Sequence, residues 1–309
     1  MTKTPTTKYL NDYKPSNFLL NTVNLVFDLY EDKTIVTAEL NVFKNPNENG
    51  DHLELVGNSL KLLELKLDDE VLAKVAYDVS PSQLVIKNPP KEFKLTIVTE
   101  IHPEKNTELM GLYKSKKMFC TQCEPEGFRR ITYFLDRPDV IAVFTTTINA
   151  DKSLYPILLS NGNLVENKIL DQDRHSVTWH DPTKKPSYLF ALVAAELACL
   201  EDEFVTQSGK NVMLRLYVEH GNLDKATHAM FALKAAMKWD EMTFGREYDL
   251  DIYMIVAVSD FNMGAMENKG LNIFNTKYVL ANPETATDDD YQAIIGVIGH
   301  EYFHNWTGN

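Results

Sequence analysis

Near the end of the 309-residue sequence, His300 and His304 flank Glu301-Tyr302-Phe303. On a helix, positions i and i+4 lie one turn apart on one face, so two imidazoles so spaced can bind a single Zn²⁺. Glu301 falls about 100° around the helix from His300. There its carboxylate can reach water that the ion acidifies without itself being a ligand, and can take the proton as that water attacks a carbonyl. The bland alternative is a buried helix with two hydrogen-bonded histidines and an exposed Glu. A second segment with possible chemistry lies some 30 residues upstream, Asn262-Met263-Gly264-Ala265-Met266-Glu267-Asn268-Lys269-Gly270. Read alone, it is a Gly-containing turn or irregular edge strand with a solvated Glu.

The helix that carries the histidines has a legible packing face. Tyr291, Ile294, Ile295, Ile298 and Tyr302 form one stripe, centred roughly 150° from the His pair. The small residues Ala293 and Gly296 lie beside the histidines, where a substrate or another backbone can come close. Thr287 or Asp288 can cap the helix, and Asp288, Asp289 and Asp290 suit the positive end of its dipole. Upstream, Ala226, Met230, Leu233, Met237 and Trp239 recur at helical spacing, predicting a helix over 222–244. Between the two helices, 251–258 is strongly β-prone, and 271–280 is expected to pair with it as an edge strand.

The first part of the chain reads differently. Leu25, Phe27 and Leu29 alternate, Glu31-Asp32-Lys33 turns the chain, and Val36, Ala38, Leu40 and Val42 alternate again, as in a hairpin with one wet face. Similar runs at 52–56, 60–67, 93–101, 143–148 and 155–159 follow without intervening helical patterns. Consecutive strands without crossover helices argue an antiparallel β domain over residues 1–195, with 196–309 forming a second unit that carries the helices, an α+β chain as a whole.

Composition narrows the classes. At 44% hydrophobic and 24% charged residues the chain is long and apolar enough for two cores. Asp plus Glu number 44 against 31 Lys plus Arg, a formal net charge of −13. That opposes nucleic acid or an anionic membrane as partner and is compatible with cationic substrates. The most apolar stretch, 188–200, is interrupted by Glu196 and is too short to span a bilayer. The start has no apolar signal region, so cytoplasmic residence is expected. Cys120, Cys123 and Cys199 are odd in number and read as reduced thiols. Cys120-x-x-Cys123 leads into Glu-Pro-Glu rather than a helix, which argues against redox chemistry.

Together, the motifs have a specific meaning. Gly264-Ala265-Met266-Glu267-Asn268 followed by His300-Glu301-x-x-His304-Asn305-Trp306 resembles the double signature of the zinc aminopeptidase N family of gluzincins, the bacterial alanyl aminopeptidase type. The resemblance implies an N-terminal saddle-like β domain followed by the start of a thermolysin-like zinc-peptidase domain, one Zn²⁺ per complete site, and hydrolysis of the first residue from peptides with a free N-terminus and broad side-chain preference. It implies that His300 and His304 are metal ligands and Glu301 the general base. It also implies that residues Gly264 to Asn268 bind the peptide backbone as an edge strand, and that Glu267 holds the substrate's α-ammonium. The segment from Phe119 to Arg130 resembles the family as well, which implies that Gln122 and Glu124 reach the N-terminal residue, Glu124 as a second ammonium ligand, and that Met263 cushions the first side-chain pocket.

In this family the third zinc ligand is a Glu from the next helix, and a transition-state Tyr comes from farther on. Five residues follow His304 here. The expectation is therefore a truncated catalytic domain, missing its C-terminal partner domains, with weak zinc binding and no turnover of its own. Competing readings are a zinc endopeptidase, a non-enzymatic β-rich binding module with a relic site, and a relative that also opens epoxides.

Overall fold

A computed structural model describes residues 7, 9–171 and 173–308 of the chain. Its largest sheet has eight strands built around Phe18–Leu29, Thr34–Lys44, Glu92–Ile101 and Ile141–Asp151. The alternation in sequence is the alternation in burial: Leu25, Phe27, Leu29, Val36, Ala38, Leu40 and Val42 are all buried, because successive strand residues face opposite sides of a sheet. The sheet is antiparallel except where Phe18–Leu29 runs parallel to Ile141–Asp151. A four-stranded sheet follows, ordered Ile157–Ser160, Leu192–Ala195, Met118–Gln122 and Gly111–Ser115. All five residues of Met118–Gln122 are buried, so packing holds Gln122 in place.

A five-stranded sheet carries the rest, in the order Ala198–Val205, Asn211–Val218, Ile252–Val258, Leu271–Asn275 and Ala265–Met266. Every residue of Ile252–Val258 is buried, and its pairing explains why. It is parallel to both neighbours, and a parallel strand of this kind is covered on both faces. Met254, Val256 and Val258 join the core shared with the β domain, whereas Tyr253, Ile255 and Ala257 join the core beneath the helices. One uninterrupted apolar run thus serves two cores.

Those helices are α1, Thr227–Phe244, and α2, Asp288–Phe303. α1 starts later than the apolar spacing predicts, because Leu223–Ala226 forms a 3₁₀ turn ahead of it. α2 is capped as expected: Thr287 accepts from the Asp290 amide, and Asp290 accepts from the Thr287 amide at 2.9 Å and its hydroxyl at 2.8 Å. The expected strand over 271–280 is shorter and differently placed. Leu271–Asn275 is an interior strand, residues Thr276–Tyr278 turn into a 3₁₀ helix, and the sheet edge is Ala265–Met266. The apolar stripe on α2 also needs correction, since Ile295 is 43% exposed whereas Ile294, Ile298, Tyr302 and Glu301 are buried. Among the described residues no helix is long and apolar enough to cross a membrane.

One charged pair lies inside the β domain. Lys185 and Asp181 are both buried, with Nζ 3.1 Å from the carboxylate and 4.1 Å from the centre of the Phe144 ring. Burial pulls the lysine's pKa down and the facing aspartate opposes it. Removing one partner of such a pair strands the other. Asp181→Ala should therefore cost about 3–5 kcal/mol in urea denaturation, and Asp181→Ala with Lys185→Met should recover part of that loss.

Candidate active site

α2 turns His300 and His304 away from its packed side, which is held fast. Ile294, Ile298 and Tyr302 are nearly inaccessible, and at the far end His228 Nε2 on α1 donates to the Tyr291 carbonyl at 3.0 Å. Beyond the helix, the Trp306 indole donates to buried Asp240 of α1 at 2.9 Å. Nothing lies within 4 Å of a Cβ built on Gly296, so the histidine-bearing side of α2 stays open at the small residue.

The two imidazole Nε2 atoms are 3.1 Å apart with their rings nearly perpendicular. Two nitrogens bound to one tetrahedral Zn²⁺ at about 2.0–2.1 Å would be separated by roughly 3.3 Å, so this donor pair fits one ion. His304 Nδ1 donates to the Thr307 carbonyl at 3.0 Å, which leaves Nε2 as the lone-pair nitrogen a metal requires. That bond depends on the chain turning back at Gly308, where φ is +91° and a Cβ would sit 2.6 Å from His304 Nδ1. His300, Glu301 and His304 offer ligand atoms within 4.8 Å of one another.

Glu301 is buried, and its Oε2 has no hydrogen-bond partner among the described residues. Burial first, then the charges of Glu267 and Glu124, push its carboxyl up to about 8. Glu124, half-buried, is likewise raised by burial and by Glu267, and lowered by His304. The structure therefore brings three carboxylates from three separated segments into electrostatic contact beside the imidazole pair. Glu267 Oε1 lies 4.0 Å from His304 Nδ1.

The remaining expected site residues fall around this centre. Ala265 and Met266 form the sheet edge and, among the described residues, pair only with Leu271–Asn275, so the other side of their backbone carries no strand. Gly264 sits against the Tyr278 ring, which a Cβ would approach to 3.2 Å. Met263 is 45% exposed. Asn268 is buried with neither side-chain polar atom partnered. Gln122, also buried, donates from Nε2 to the Glu124 carbonyl at 3.1 Å and leaves its Oε1 unpaired. That bond holds the Glu124 backbone against the β domain.

Sequence reasoning missed Tyr188. Its phenol pKa is raised by burial and then by Glu267 and Glu124, so it feels the same carboxylates, and nothing in the apolar run 188–200 marks it out. Cys120 and Cys123 are both buried, the first thiol pushed up to about 12 and the second well above its ordinary value by burial. Neither is a thiolate at neutral pH.

A family model described as the peptidase M1 N-terminal domain matches residues 20–189, and one described as the peptidase family M1 domain matches 228–309. The chain is 56% identical over its whole length to aminopeptidase N of Escherichia coli and 54% identical to that of Caulobacter vibrioides, covering 35% and 36% of those proteins. Among solved structures it resembles an aminopeptidase A of Legionella pneumophila in complex with aspartic acid, with a TM-score of 0.94 at 39% identity, over 97% of this chain and 36% of that one. The chain thus spans about a third of the length of the curated relatives it matches.

The raised Glu301 pKa makes a signed prediction for the chelator-treated chain. A carboxyl whose folded pKa lies above its ordinary value costs no stability below about 4.5 and progressively more as pH rises toward about 8. Glu301→Gln removes that cost. Its melting temperature should exceed wild type's by a margin that grows from pH 5 to pH 8. A pH-independent margin would contradict the environment described for this carboxyl.

Proposed function

This chain belongs to the M1 family of peptidases, and from that premise we propose that it carries the amine-recognition and metal-binding elements of a zinc aminopeptidase that removes the first residue from peptides. The same reading divides the chain near residue 196, takes residues 1–195 as the β domain and 196–309 as the start of the catalytic domain, and sets the protein in the cytoplasm. Turnover is proposed for the whole protein, of whose relatives this chain covers about a third, and not for these 309 residues alone.

The observation that carries the reading is the 4.0 Å approach of Glu267 to His304. An α-ammonium and the carbonyl of the same residue are two bonds apart, so an exopeptidase needs its amine anchor this close to its metal ligands. Glu267, with Glu124 facing it, supplies a charge-assisted hydrogen bond to that ammonium. A blocked, uncharged N-terminus would leave the carboxylates buried and unpaired, which is the basis of discrimination. Ala265 and Met266 offer backbone groups to the peptide as an added strand, which orients its first peptide bond.

His300 and His304 would hold the Zn²⁺. When bound, the ion polarises the carbonyl and acidifies water. A bound cation would offset the burial and the neighbouring carboxylates that raise Glu301 in the metal-free chain, and the ionised carboxylate then takes the proton from the attacking water and passes it to the departing amine. Its buried, carboxylate-crowded setting favours holding that proton between the two steps. Gln122 and Met263 border the first side chain.

The reading is tested in the full-length protein with an alanyl anilide and its N-acetyl counterpart. Hydrolysis confined to the free amine is expected, and equal rates would point to an endopeptidase instead. Glu301→Ala should abolish turnover with zinc retained. Survival of turnover within about tenfold would remove Glu301 from the role of base.

A further inference from the structure

Glu267 and His304 lie on different elements, and their relative position must be set by something other than the elements themselves. Glu267 leads from the strand Ala265–Met266 into the hairpin turn, Asn268 to Leu271, that joins it to Leu271–Asn275. The turn closes with the Leu271 amide donating to the Asn268 carbonyl at 3.0 Å. Gly270, at φ +75°, occupies the third position, where this kind of turn needs a residue without a Cβ. Lys269 is at the second position, its side chain only 12% exposed.

Lys269 makes four connections from that corner. Its Nζ donates to Asp249 at 2.5 Å and to the Asn305 side-chain oxygen at 3.3 Å, and lies 5.2 Å from the centre of the Tyr248 ring. Its carbonyl accepts from the Asn161 amide nitrogen at 2.9 Å. Asn161 is buried in the β domain, where it also donates to Leu189 and accepts from the Ala191 amide. Asn305 directly follows His304 and is itself held by donation to the Tyr302 carbonyl at 2.7 Å.

We propose that Lys269 is a positioning residue that locks the turn carrying Glu267 to the end of the helix carrying His304, with Asn161 anchoring the turn to the β domain. It thereby sets the separation between the substrate's amine and the carbonyl to be attacked. The proposal rests on the aminopeptidase reading for its kinetic consequence, but the mechanical link stands on these contacts alone. A misplacement on the order of 1 Å costs roughly 100-fold in rate when it separates reacting groups. The bridge therefore matters more for turnover than for affinity.

Two measurements test it on Lys269→Met, Asn305→Ala and the double variant. In the 309-residue chain, amide hydrogen exchange should speed up by about fivefold in both 264–271 and 300–308 for either single variant, with no change in the Phe18–Lys44 hairpin. The double variant should add little to either single one, because both cut the same link. Faster exchange confined to the mutated segment, or additive effects in the double variant, would overturn the link. In the full-length protein, kcat on an alanyl anilide should fall roughly 10- to 100-fold with KM within about threefold, and Lys269→Arg should restore part of it. Unchanged kcat, or losses in kcat and melting temperature that track each other, would overturn the positioning role. A wild-type protein inactive on every free-amine substrate would instead sink the aminopeptidase reading and leave the exchange result to judge the link.

Discussion

Glu124, Glu267 and Glu301 repel one another, and the fold holds them together regardless. Glu301 is raised by burial and by the other two, and Glu124 is raised by burial and by Glu267. Among the described residues no lysine or arginine pairs with any of them, and the basic group recorded beside them is His304. A group of carboxylates crowded in this way favours the approach of cations. Two kinds fit the groups present: a metal ion at the facing imidazole nitrogens and an ammonium between Glu124 and Glu267. On the proposed reading, substrate recognition and metal binding answer a single electrostatic demand.

The architecture exists to impose that crowding. The strand Ile252–Val258 is buried on both faces and welds the β domain to the helical layer. Gln122 and Glu124 come from the buried end of the four-stranded sheet, Glu267 from the hairpin at the edge of the five-stranded sheet, and Glu301 from α2. None of these supports is a long loop, so the groups are placed by packed elements and not by side-chain reach. The edge strand is only two residues long, short enough to leave unpaired backbone for an extended ligand without offering a broad surface for aggregation.

Much of this was legible in the sequence because it rests on local rules. The period of two in Leu25 to Val42, the Thr287 and Asp290 cap, and the i, i+4 histidines follow from backbone geometry alone. What escaped depends on long-range contacts. Residues 271–280 read as an edge strand because their apolar side chains suit one. In the fold the shorter, Gly-flanked Ala265–Met266 takes the edge, and the apolar strand lies inside where its residues are covered on both sides. Ile295 belongs to the apolar stripe by arithmetic, yet α1 and the sheet reach only part of that arc. Glu301 takes a buried position that no wheel would give a carboxylate. The long strand Arg174–Pro186 was invisible, since its histidines, lysines and prolines break any alternating pattern. The parallel pairing of Phe18–Leu29 with Ile141–Asp151 joins residues too distant for any local signal.

The central claim is that α2 presents two imidazoles to one metal ion, with Glu301 beside it. Zinc K-edge X-ray absorption of the protein loaded with one equivalent of zinc tests it most directly. Wild type should show scattering from two imidazole nitrogens at about 2.0–2.1 Å, and His304→Ala should lose one of them. A spectrum without imidazole scattering, or one that His304→Ala leaves unchanged, would contradict the account.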